Sequence, residues 1–222
     1  MTSSSDLLNQ IRATLGRAVS PSHTSRSDVS DVFEAYIFAL VVEAARVEGA
    51  NVHFRNVDGS VTSTFLFRTS PGYLHSRRRN YSYAVIEFQN KPTLEAHLGV
   101  RVSGQSSVAH ECDVSVLWAT EAQMCRNDRV LPRAMSVEIA VECKFYTTSV
   151  SLGLARSFIG LAADLTANHC YFVVNTSSVN VEKLLARKGK HWNTMVIPAN
   201  GHEVQRLRNT FQTAFANFKA KN

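Results

Sequence analysis

The sequence predicts an α/β protein with a mixed central β-sheet flanked by helices. Strand-like runs follow one another between residues 51 and 146, and strand and helix patterns alternate after that point. Strands in a run followed by βαβ alternation are typical of a mixed sheet covered by helices. The 222 residues are 45% hydrophobic and 19% charged. The chain can therefore bury a substantial core, which excludes a protein that is disordered throughout.

The first part of the chain predicts a short amphipathic helix, because apolar residues recur at helical spacing between Leu7 and Leu15. We expect this helix to pack on the body of the protein or on a partner. Residues 19–28 are rich in Ser, Thr and Pro and indicate a polar linker. We therefore divide the chain into residues 1–28, an N-terminal helix and linker, and residues 29–222, a single α/β domain.

A longer helix is predicted from Val32 to Val47, with one broad apolar face and a cap at Ser30 or Asp31. Gly49 ends it. Two strand-like runs follow, residues 51–57 and residues 61–68. The Asp58-Gly59 pair between them predicts a hairpin.

Residues 70–80 predict a basic loop, and residues 81–89 predict another strand. The next apolar stretch, 94–102, is ambiguous. Clear period-2 alternation follows in residues 110–118 and again in residues 136–146, with polar residues between them that fit a loop or a short helix.

The last third of the chain alternates helix and strand. The predicted elements are a helix at 152–165, an apolar strand at 170–175, a helix at 179–188, a strand at 194–198 and a helix at 203–219. A strand that follows a crossover helix should run parallel to its predecessor. We therefore expect the strand at 170–175 to lie beside the strand at 136–146, in the middle of the sheet.

Several functional classes are excluded by composition. No apolar run approaches the ~20 residues that cross a bilayer, so a membrane-spanning helix is not expected. The four cysteines are single and form no CxxC pair, which argues against zinc sites and fits reduced thiols in a cytoplasmic protein.

The net charge of +6 is unevenly distributed. Between Glu111 and Glu142 the chain has six acidic and three basic residues, whereas basic residues predominate in the segments on either side. An acidic centre between basic flanks is the arrangement expected of a protein that holds a cation and a polyanion together.

The chemistry centres on Asp113, Glu142 and Lys144. Period-2 geometry places Glu142 and Lys144 on one face of their strand, and Asp113 can reach that face if the two strands pair. Close carboxylates repel unless a cation lies between them, and oxygen ligands suit Mg²⁺. A neighbouring lysine can orient or deprotonate a metal-bound water. These groups therefore fit phosphodiester hydrolysis.

Asp113 and the Glu142-Cys143-Lys144 triplet, after a helix bearing Glu34, resemble the D…(D/E)xK pattern of the restriction-endonuclease-like PD-(D/E)XK nuclease superfamily. The resemblance implies an αβββαβ core between about residues 29 and 175. Cys112 departs from the pattern, because it stands where the motif's proline usually lies.

The resemblance assigns a role to each matching position. Asp113 and Glu142 would be metal ligands together with the backbone carbonyl of Cys143, and Lys144 would activate the water. Glu34 would help to hold the metal through water. The cofactor implied is Mg²⁺, for which Mn²⁺ is a substitute.

Other acidic residues compete for these roles. Glu43 lies near the same helix face as Glu34, and Glu111 shares a face with Asp113 and is a candidate extra ligand. Glu138 lies ~13 Å along the strand from Glu142, too far to share one metal. A different interpretation makes Glu142 and Lys144 part of a solvent-facing stripe on an edge strand.

Basic residues outside the motif are candidates for substrate phosphates. They are Arg156 on the following helix, Arg77, Arg78 and Arg79 in the basic loop, and Lys188 and Lys190 near the C-terminus.

The sequence thus predicts a metal-dependent nuclease, most plainly a DNA endonuclease of restriction or defence type. Two alternatives stay open: a non-catalytic nucleic-acid-binding or assembly subunit with the same fold, and a relative that cleaves RNA. Similar nucleases that cut both strands are often dimers, so a homodimer is among the expected states.

Overall fold

The computed structural model describes residues 3–16, 28–68, 70–78 and 80–222. The predicted linker lies almost entirely outside the described residues, as does Arg79. Six α-helices are labelled in chain order: α1 Ser4–Leu15, α2 Val29–Val47, α3 Ala119–Asp128, α4 Leu152–Leu165, α5 Val179–Arg187 and α6 Gly201–Lys221. Seven strands are labelled likewise: β1 Asn51–Asn56, β2 Ser82–Glu87, β3 Leu94–Ser103, β4 Ala109–Trp118, β5 Val137–Lys144, β6 His169–Val174 and β7 His191–Asn193.

The seven strands form one sheet in the order in which they occur along the chain. Neighbours from β1 to β5 pair antiparallel, whereas β5, β6 and β7 pair parallel. The predicted α/β class with a mixed sheet is therefore confirmed. The parallel pairing of β6 with β5 is also confirmed, but its predicted position was wrong. β7 is the only strand beyond β6 in the described sheet, so β6 lies next to the edge.

Helices cover both faces of this sheet. On one face α1, α2 and α6 enclose a large apolar core that includes Ile139 and Val141 of β5. On the other face α3, α4 and α5 pack over two smaller clusters, one of which contains Ala140. Alternation along β5 thus divides its side chains between two cores, as expected for a covered internal strand.

The N-terminal helix packs on the body of the protein. Leu7, Leu8, Ile11 and Leu15 of α1 are all buried in the same core as α2. A capping box between Ser3 and Asp6 starts α1. These contacts favour the first of the two locations expected from the sequence.

The cap of α2 differs from the prediction. Asp28, and not Ser30 or Asp31, is the N-cap residue, and its side chain accepts a hydrogen bond from the Ser30 amide at 2.8 Å. A carboxylate here satisfies an amide that has no partner within the helix. The helix consequently begins at Val29, which places Glu34 in its second turn.

The predicted hairpin is only partly correct. The turn at Gly59 exists, with a left-handed φ of 89°, but residues 61–68 form no strand beyond single bridges at Val61 and Phe65. Phe65 and Phe67 are instead buried in the main core. Core packing of these two rings replaces a full strand, so β1 forms its ladder with β2 and contacts residues 61–68 through the single Arg55–Val61 bridge.

The last predicted strand was also displaced. Residues 194–198 are irregular, and the edge strand β7 is formed by the three residues before them. β7 pairs with β6 through Trp192 and its neighbours, whereas Val196 is buried in the main core. None of the described helices combines the length and apolar character needed to cross a membrane.

Candidate active site

The candidate site lies where β4 and β5 separate. Their described pairing begins at Val114 opposite Val141, and it does not include Asp113, the preceding residue. Here the carboxylate of Asp113 accepts a hydrogen bond from the Cys143 amide, with Oδ2 and N 2.7 Å apart. A side chain thus takes the place of a backbone acceptor, and both residues are buried. This bond ties the two halves of the predicted motif together.

An irregularity in β3 lies opposite Asp113. The pairs on either side are Leu98 with Val114 and Val100 with Cys112, and Gly99 between them has a left-handed φ of 55°. Glycine adopts this conformation without the steric cost that other residues incur. It marks the point where the strands stop alternating regularly.

This irregularity corrects the predicted face of Cys112. Alternation predicted that Cys112 shares a face with Val114 and Val116, and both of these are in the main core. Cys112 is instead in the opposite cluster with Val100. Both strands exchange faces at the same level, which is the level of Asp113.

Lys144 contacts both motif carboxylates. Its Nζ lies 2.6 Å from Oε1 of Glu142 and 3.6 Å from Oδ2 of Asp113. Period-2 geometry on β5 explains the first contact, and the gap between the strands explains the second. Burial lowers the pKa of Lys144, but the negative charge of Asp113 and Glu142 outweighs it and raises the pKa above its ordinary value. Lys144 is therefore held as an ammonium.

Three carboxyl groups near Lys144 have raised pKa values. Burial, and then repulsion from Asp113, raises the pKa of Glu34 to about 8. Burial, and then repulsion from Glu142, raises the pKa of Asp113 to about 6. The pKa of Glu111 is raised by the same two causes, burial and the charge of Asp113. Two carboxylates contact Lys144, and two more carboxyl groups, those of Glu34 and Glu111, are close enough to feel its charge. The cluster has an unbalanced negative charge when all four ionise.

The structure separates Glu34 from its competitor. Glu34 is close enough to Asp113, Glu111 and Lys144 for each of these charges to affect its pKa. Glu43 instead pairs with Arg208 of α6 at 3.0 Å. The helix acid at the cluster is thus Glu34.

Glu138 belongs to a different site. Its two oxygens accept hydrogen bonds from Trp118 Nε1 at 2.7 Å and Asn168 Nδ2 at 2.9 Å. Both bonds connect β5 to neighbouring elements, which is a structural role. The solvent-stripe interpretation does not fit either, because β5 is an internal strand of the sheet and the side chains of Glu142 and Lys144 are only 20% and 24% exposed.

The predicted phosphate-binding residues are dispersed. Arg78 lines a cavity beside β3, whereas Arg77 is exposed and its charge helps to lower the pKa of Asp58, after the hydrogen bonds from Ser60. Arg156 is an exposed residue of α4, with no hydrogen bond or ion pair to any described residue.

The C-terminal basic residues lie apart from the cluster. Lys190 immediately precedes β7, which begins opposite Tyr171, whereas Lys144 pairs with Val174. At ~3.3 Å per residue the two lysines are offset by roughly 13 Å along the strands. Lys188 lies two residues before Lys190 and is exposed. The structure therefore does not bring Lys188 and Lys190 to the carboxylates.

The donor set available for a cation is small. Within the described ranges, no group of three or more His, Cys, Asp or Glu side chains is arranged so that it could hold a metal ion. The set implied by the motif is Asp113, Glu142 and the carbonyl of Cys143, that is, two side chains and one backbone oxygen. Such a set suits Mg²⁺, which usually keeps several waters and takes only one or two carboxylates. Its oxygen donors and excess negative charge fit a hard divalent cation.

One neighbour of the cluster was missed from the sequence. Arg101 of β3 lies directly opposite Glu111 of β4 in the register of the two strands. Burial raises the pKa of Glu111, and the charge of Arg101 acts in the opposite direction with a smaller effect. The ambiguous pattern of β3 hid this relation, since a cross-strand pair is recognisable only when the register is known.

Comparisons with protein-family models, with curated proteins and with solved structures found no match to this chain. The chemistry of the cluster therefore rests on its own geometry. Two carboxylates beside an ammonium, one of them buried, at a gap between two strands, can bind a divalent cation and position a water.

Proposed function

We propose that this chain is a Mg²⁺-dependent nuclease that hydrolyses phosphodiester bonds, with Asp113, Glu142 and Lys144 at its centre and Glu34 in support. One observation carries the proposal. Carboxylates from two strands contact a single lysine, the Glu34 carboxyl of α2 feels their charge, and the pKa values of Glu34 and Asp113 are raised to about 8 and about 6. A divalent cation would relieve this repulsion.

The order of elements supports the resemblance to the PD-(D/E)XK nucleases. The helix α2 precedes β3, β4 and β5, which are followed by α4 and β6, an order compatible with αβββαβ. The strands β1 and β2 and the helix α3 would then be additions to that core. Asp113 lies on β4 and the Glu142-Cys143-Lys144 triplet ends β5, as the pattern requires.

The acidic residues of the cluster would bind the metal. Asp113 and Glu142 would hold Mg²⁺ with the carbonyl of Cys143, and Glu34 would accept hydrogen bonds from the waters around it. The ion supplies Lewis-acid chemistry and lowers the pKa of bound water when present. The Cys143 amide keeps Asp113 in position through its hydrogen bond of 2.7 Å.

Lys144 would orient the attacking water and stabilise charge on the phosphoryl oxygens. Its raised pKa keeps it cationic, which favours electrostatic stabilisation over proton abstraction. Its ion pair with Glu142 would have to loosen when a metal binds, because both cations use the same carboxylate.

DNA is the substrate proposed, with cleavage within a strand, as in the restriction and defence enzymes that the motif resembles. The basic flanks of the acidic centre support a polyanionic substrate of this kind. An RNA-cleaving enzyme would use the same groups, so RNA belongs in the test.

A second candidate function is favoured by one contact. Lys144 already lies between Asp113 and Glu142 and neutralises part of their charge without a metal. A non-catalytic nucleic-acid-binding subunit of the same fold could keep this ion pair for stability alone. This candidate predicts binding without cleavage.

The two candidates differ in one experiment. Plasmid, single-stranded DNA and RNA are incubated with the wild type in Mg²⁺, in Mn²⁺ and in EDTA, beside Lys144→Ala and Asp113→Asn. We expect metal-dependent cleavage of DNA that falls at least ~100-fold in either variant, since each removes a group that acts in the transition state.

Lys91→Ala is the matched control, because Lys91 is in the turn after β2 and makes no side-chain ion pair among the described residues. Its cleavage rate should equal that of the wild type. Cleavage that persists in Lys144→Ala or in EDTA would refute the site. Salt-sensitive binding with no cleavage of any substrate would favour the non-catalytic subunit.

A further inference from the structure

A cavity of about 350 Å³ opens between the basic loop and β3. Its charged lining consists of Arg68, Arg78 and Arg101, and no carboxylate of the described residues lines it. Two tyrosines, Tyr73 and Tyr81, complete its larger walls. A concave site with three cations and no acid is suited to an anion.

Arg68 is the best-anchored of the three arginines. Its Nη1 and Nη2 donate to the carbonyls of Gly99 at 3.4 Å and Tyr73 at 3.3 Å, and its guanidinium lies 3.8 Å from the centre of the Tyr81 ring. Its Nε is buried and has no hydrogen-bond partner among the described residues. Contacts through Nη1, Nη2 and the ring thus fix the guanidinium at the wall of the cavity.

No carboxylate pairs with Arg68 in the described part of the chain. Burial lowers its pKa, and the opposing influences come only from Tyr81. Other partly buried arginines have a carboxylate partner: Arg126 forms an ion pair with Glu95, and Arg208 forms one with Glu43. A partly buried cation without a counter-charge is costly, and a bound anion would reduce that cost.

The backbone around the cavity is built to hold the guanidinium. The Gly72 amide donates to the Gly99 carbonyl at 2.9 Å, and the Arg101 amide donates to the Gly72 carbonyl at 3.1 Å. A Cβ added at Gly72 would overlap Nη1 of Arg68. Glycine at this position therefore allows the loop to lie against β3 with the guanidinium between them.

The aromatic rings hold the arginine heads in place. Tyr73 stacks on His75 with centroids 5.2 Å apart, and the Arg101 guanidinium lies 5.6 Å from the Tyr73 ring. Tyr81 carries Arg68 in the same way. Cation–π contacts orient these groups without neutralising them. The cavity therefore presents oriented positive charge, and arginine forks match the geometry of phosphate as well as of carboxylate.

The cavity is connected to the carboxylate cluster through Arg101. Arg101 lines the cavity and pairs across the sheet with Glu111, whose pKa responds to Arg101, Asp113 and Lys144. Gly99, whose carbonyl bonds to Arg68, lies at the level of Asp113. An extended nucleic-acid strand that reaches Lys144 would thus pass next to these arginines.

We propose that the cavity lined by Arg68, Arg78 and Arg101 binds a phosphate group of the nucleic-acid strand, beside the carboxylate cluster. The identity of that strand rests on the proposed function, whereas the anion site itself rests on the cavity.

The test measures binding without cleavage. Fluorescein-labelled single-stranded and duplex DNA are titrated with the full-length protein in EDTA, by anisotropy, over a range of salt concentrations. The variants are Arg68→Gln, Arg78→Gln, Arg101→Gln and Gly72→Ala; the last displaces the Arg68 head and keeps its charge. Arg12→Gln on an exposed position of α1 is the control for the loss of one positive charge.

We expect each arginine variant to weaken DNA binding about tenfold, since each removes charge-assisted hydrogen bonds to a phosphate. The slope of log K against log salt should fall by ~0.7–0.9 for each phosphate that the protein no longer neutralises. Gly72→Ala should weaken DNA binding although it leaves the net charge unchanged. Arg12→Gln removes one positive charge elsewhere and should change the DNA affinity less than about twofold. Arg78 is exposed, so its variant tests the cavity even if Arg68→Gln fails to fold.

The outcomes separate the two proposals. Wild-type DNA affinity in Arg78→Gln, Arg101→Gln and Gly72→Ala overturns the cavity, even if Lys144-dependent cleavage occurs. Weakened binding in these variants supports the cavity, even if no substrate is cleaved. A competition experiment with inorganic phosphate tests whether the bound phosphate belongs to a nucleic acid. If the variants abolish the binding of inorganic phosphate and leave DNA binding unchanged, the nucleic-acid assignment is overturned.

Discussion

Carboxyl groups have opposite pKa shifts in two parts of this molecule, because their partners differ. At the candidate site, burial and neighbouring carboxylates raise the pKa of Asp113 to about 6. On β3, burial raises the pKa of Glu95, but hydrogen bonds from its neighbours His97 and Arg126 outweigh burial, and the net shift of the pKa is downward. Glu95 is thus a satisfied structural anion, whereas Asp113 is an anion without enough positive charge around it.

Glu95→Gln should destabilise the protein at pH 7 by about 3 kcal/mol, since it leaves Arg126 buried without its counter-charge. Because the folded-state pKa of Glu95 is lowered, its contribution is present above its ordinary pKa of 4.5 and is lost as pH falls through the folded value. Urea unfolding between pH 7 and pH 3 should show the difference from wild type shrinking. Glu182→Gln, on α5 and without an ion pair among the described residues, is the control. A difference that stays constant with pH would contradict this account.

At the scale of elements, the site depends on an interruption of the sheet. Gly99, with its left-handed φ of 55°, lies at the level where β3 and β4 exchange faces and where Asp113 leaves the regular ladder to bond to Cys143. The same glycine accepts the bond from Arg68. One irregular position thus serves both the carboxylate cluster and the arginine cavity.

Gly99→Ala should lower the free energy of unfolding by about 1 kcal/mol, because alanine is strained at positive φ. Its Cβ would also lie 3.4 Å from Cδ of Arg68 and 3.5 Å from the Ser70 carbonyl oxygen. DNA affinity and cleavage should fall with it. The measurement is the urea midpoint beside the two activity assays.

Gly160→Ala is the matched control for this variant. Gly160 is within α4, and a Cβ added there meets no atom within 4 Å. Alanine should stabilise the helix by roughly 0.5–1 kcal/mol. Equal effects of the two substitutions would show that Gly99 has no special conformational role.

The elements themselves were predicted from the sequence to a large extent. Local periodicity identified α1, α2 and the three helices after β5, together with five of the seven strands, because it reports which face of an element is buried. It failed at residues 61–68, where Phe65 and Phe67 pack into the core and leave no strand. Packing between distant segments overrode the local preference at that place.

At the scale of the whole molecule, a mild net charge of +6 conceals a local excess of negative charge. Asp113 and Glu142 contact Lys144, and the charges of Glu34 and Glu111 act on the same group of residues. Their repulsion is a cost to the folded state, which a bound cation would reduce. Metal binding and global stability should therefore be linked.

Mg²⁺ or Mn²⁺ at a concentration 100 times its Kd should stabilise the folded wild type by about 2.7 kcal/mol, and its melting temperature should rise accordingly. That corresponds to a rise of roughly 5–10 °C for a domain of this size. Asp113→Asn should remove most of this rise, and Lys91→Ala should retain it. Scanning calorimetry with metal and with EDTA makes the comparison without reference to activity.

The same linkage predicts a pH dependence. Raised pKa values mean that the folded protein without metal loses stability as pH rises from the ordinary carboxyl range through about 6 for Asp113 and about 8 for Glu34. Metal binding needs the ionised forms, so the metal-induced rise in melting temperature should be larger at pH 8 than at pH 6. A rise that is equal at both pH values would contradict ligation by these carboxyls.

The sequence alone determined the α/β class, the parallel pairing of β5 with β6, and the shared face of Glu142 and Lys144. Periodicity is a local property, and the crossover rule needs only the order of the elements. The tertiary structure decided that Asp113 bonds to Cys143, that Glu34 and not Glu43 joins the cluster, and that Arg68 and Arg101 form a cavity beside it. Each of these depends on register and on contacts between residues far apart in the chain. Such contacts form only when the whole sheet is assembled.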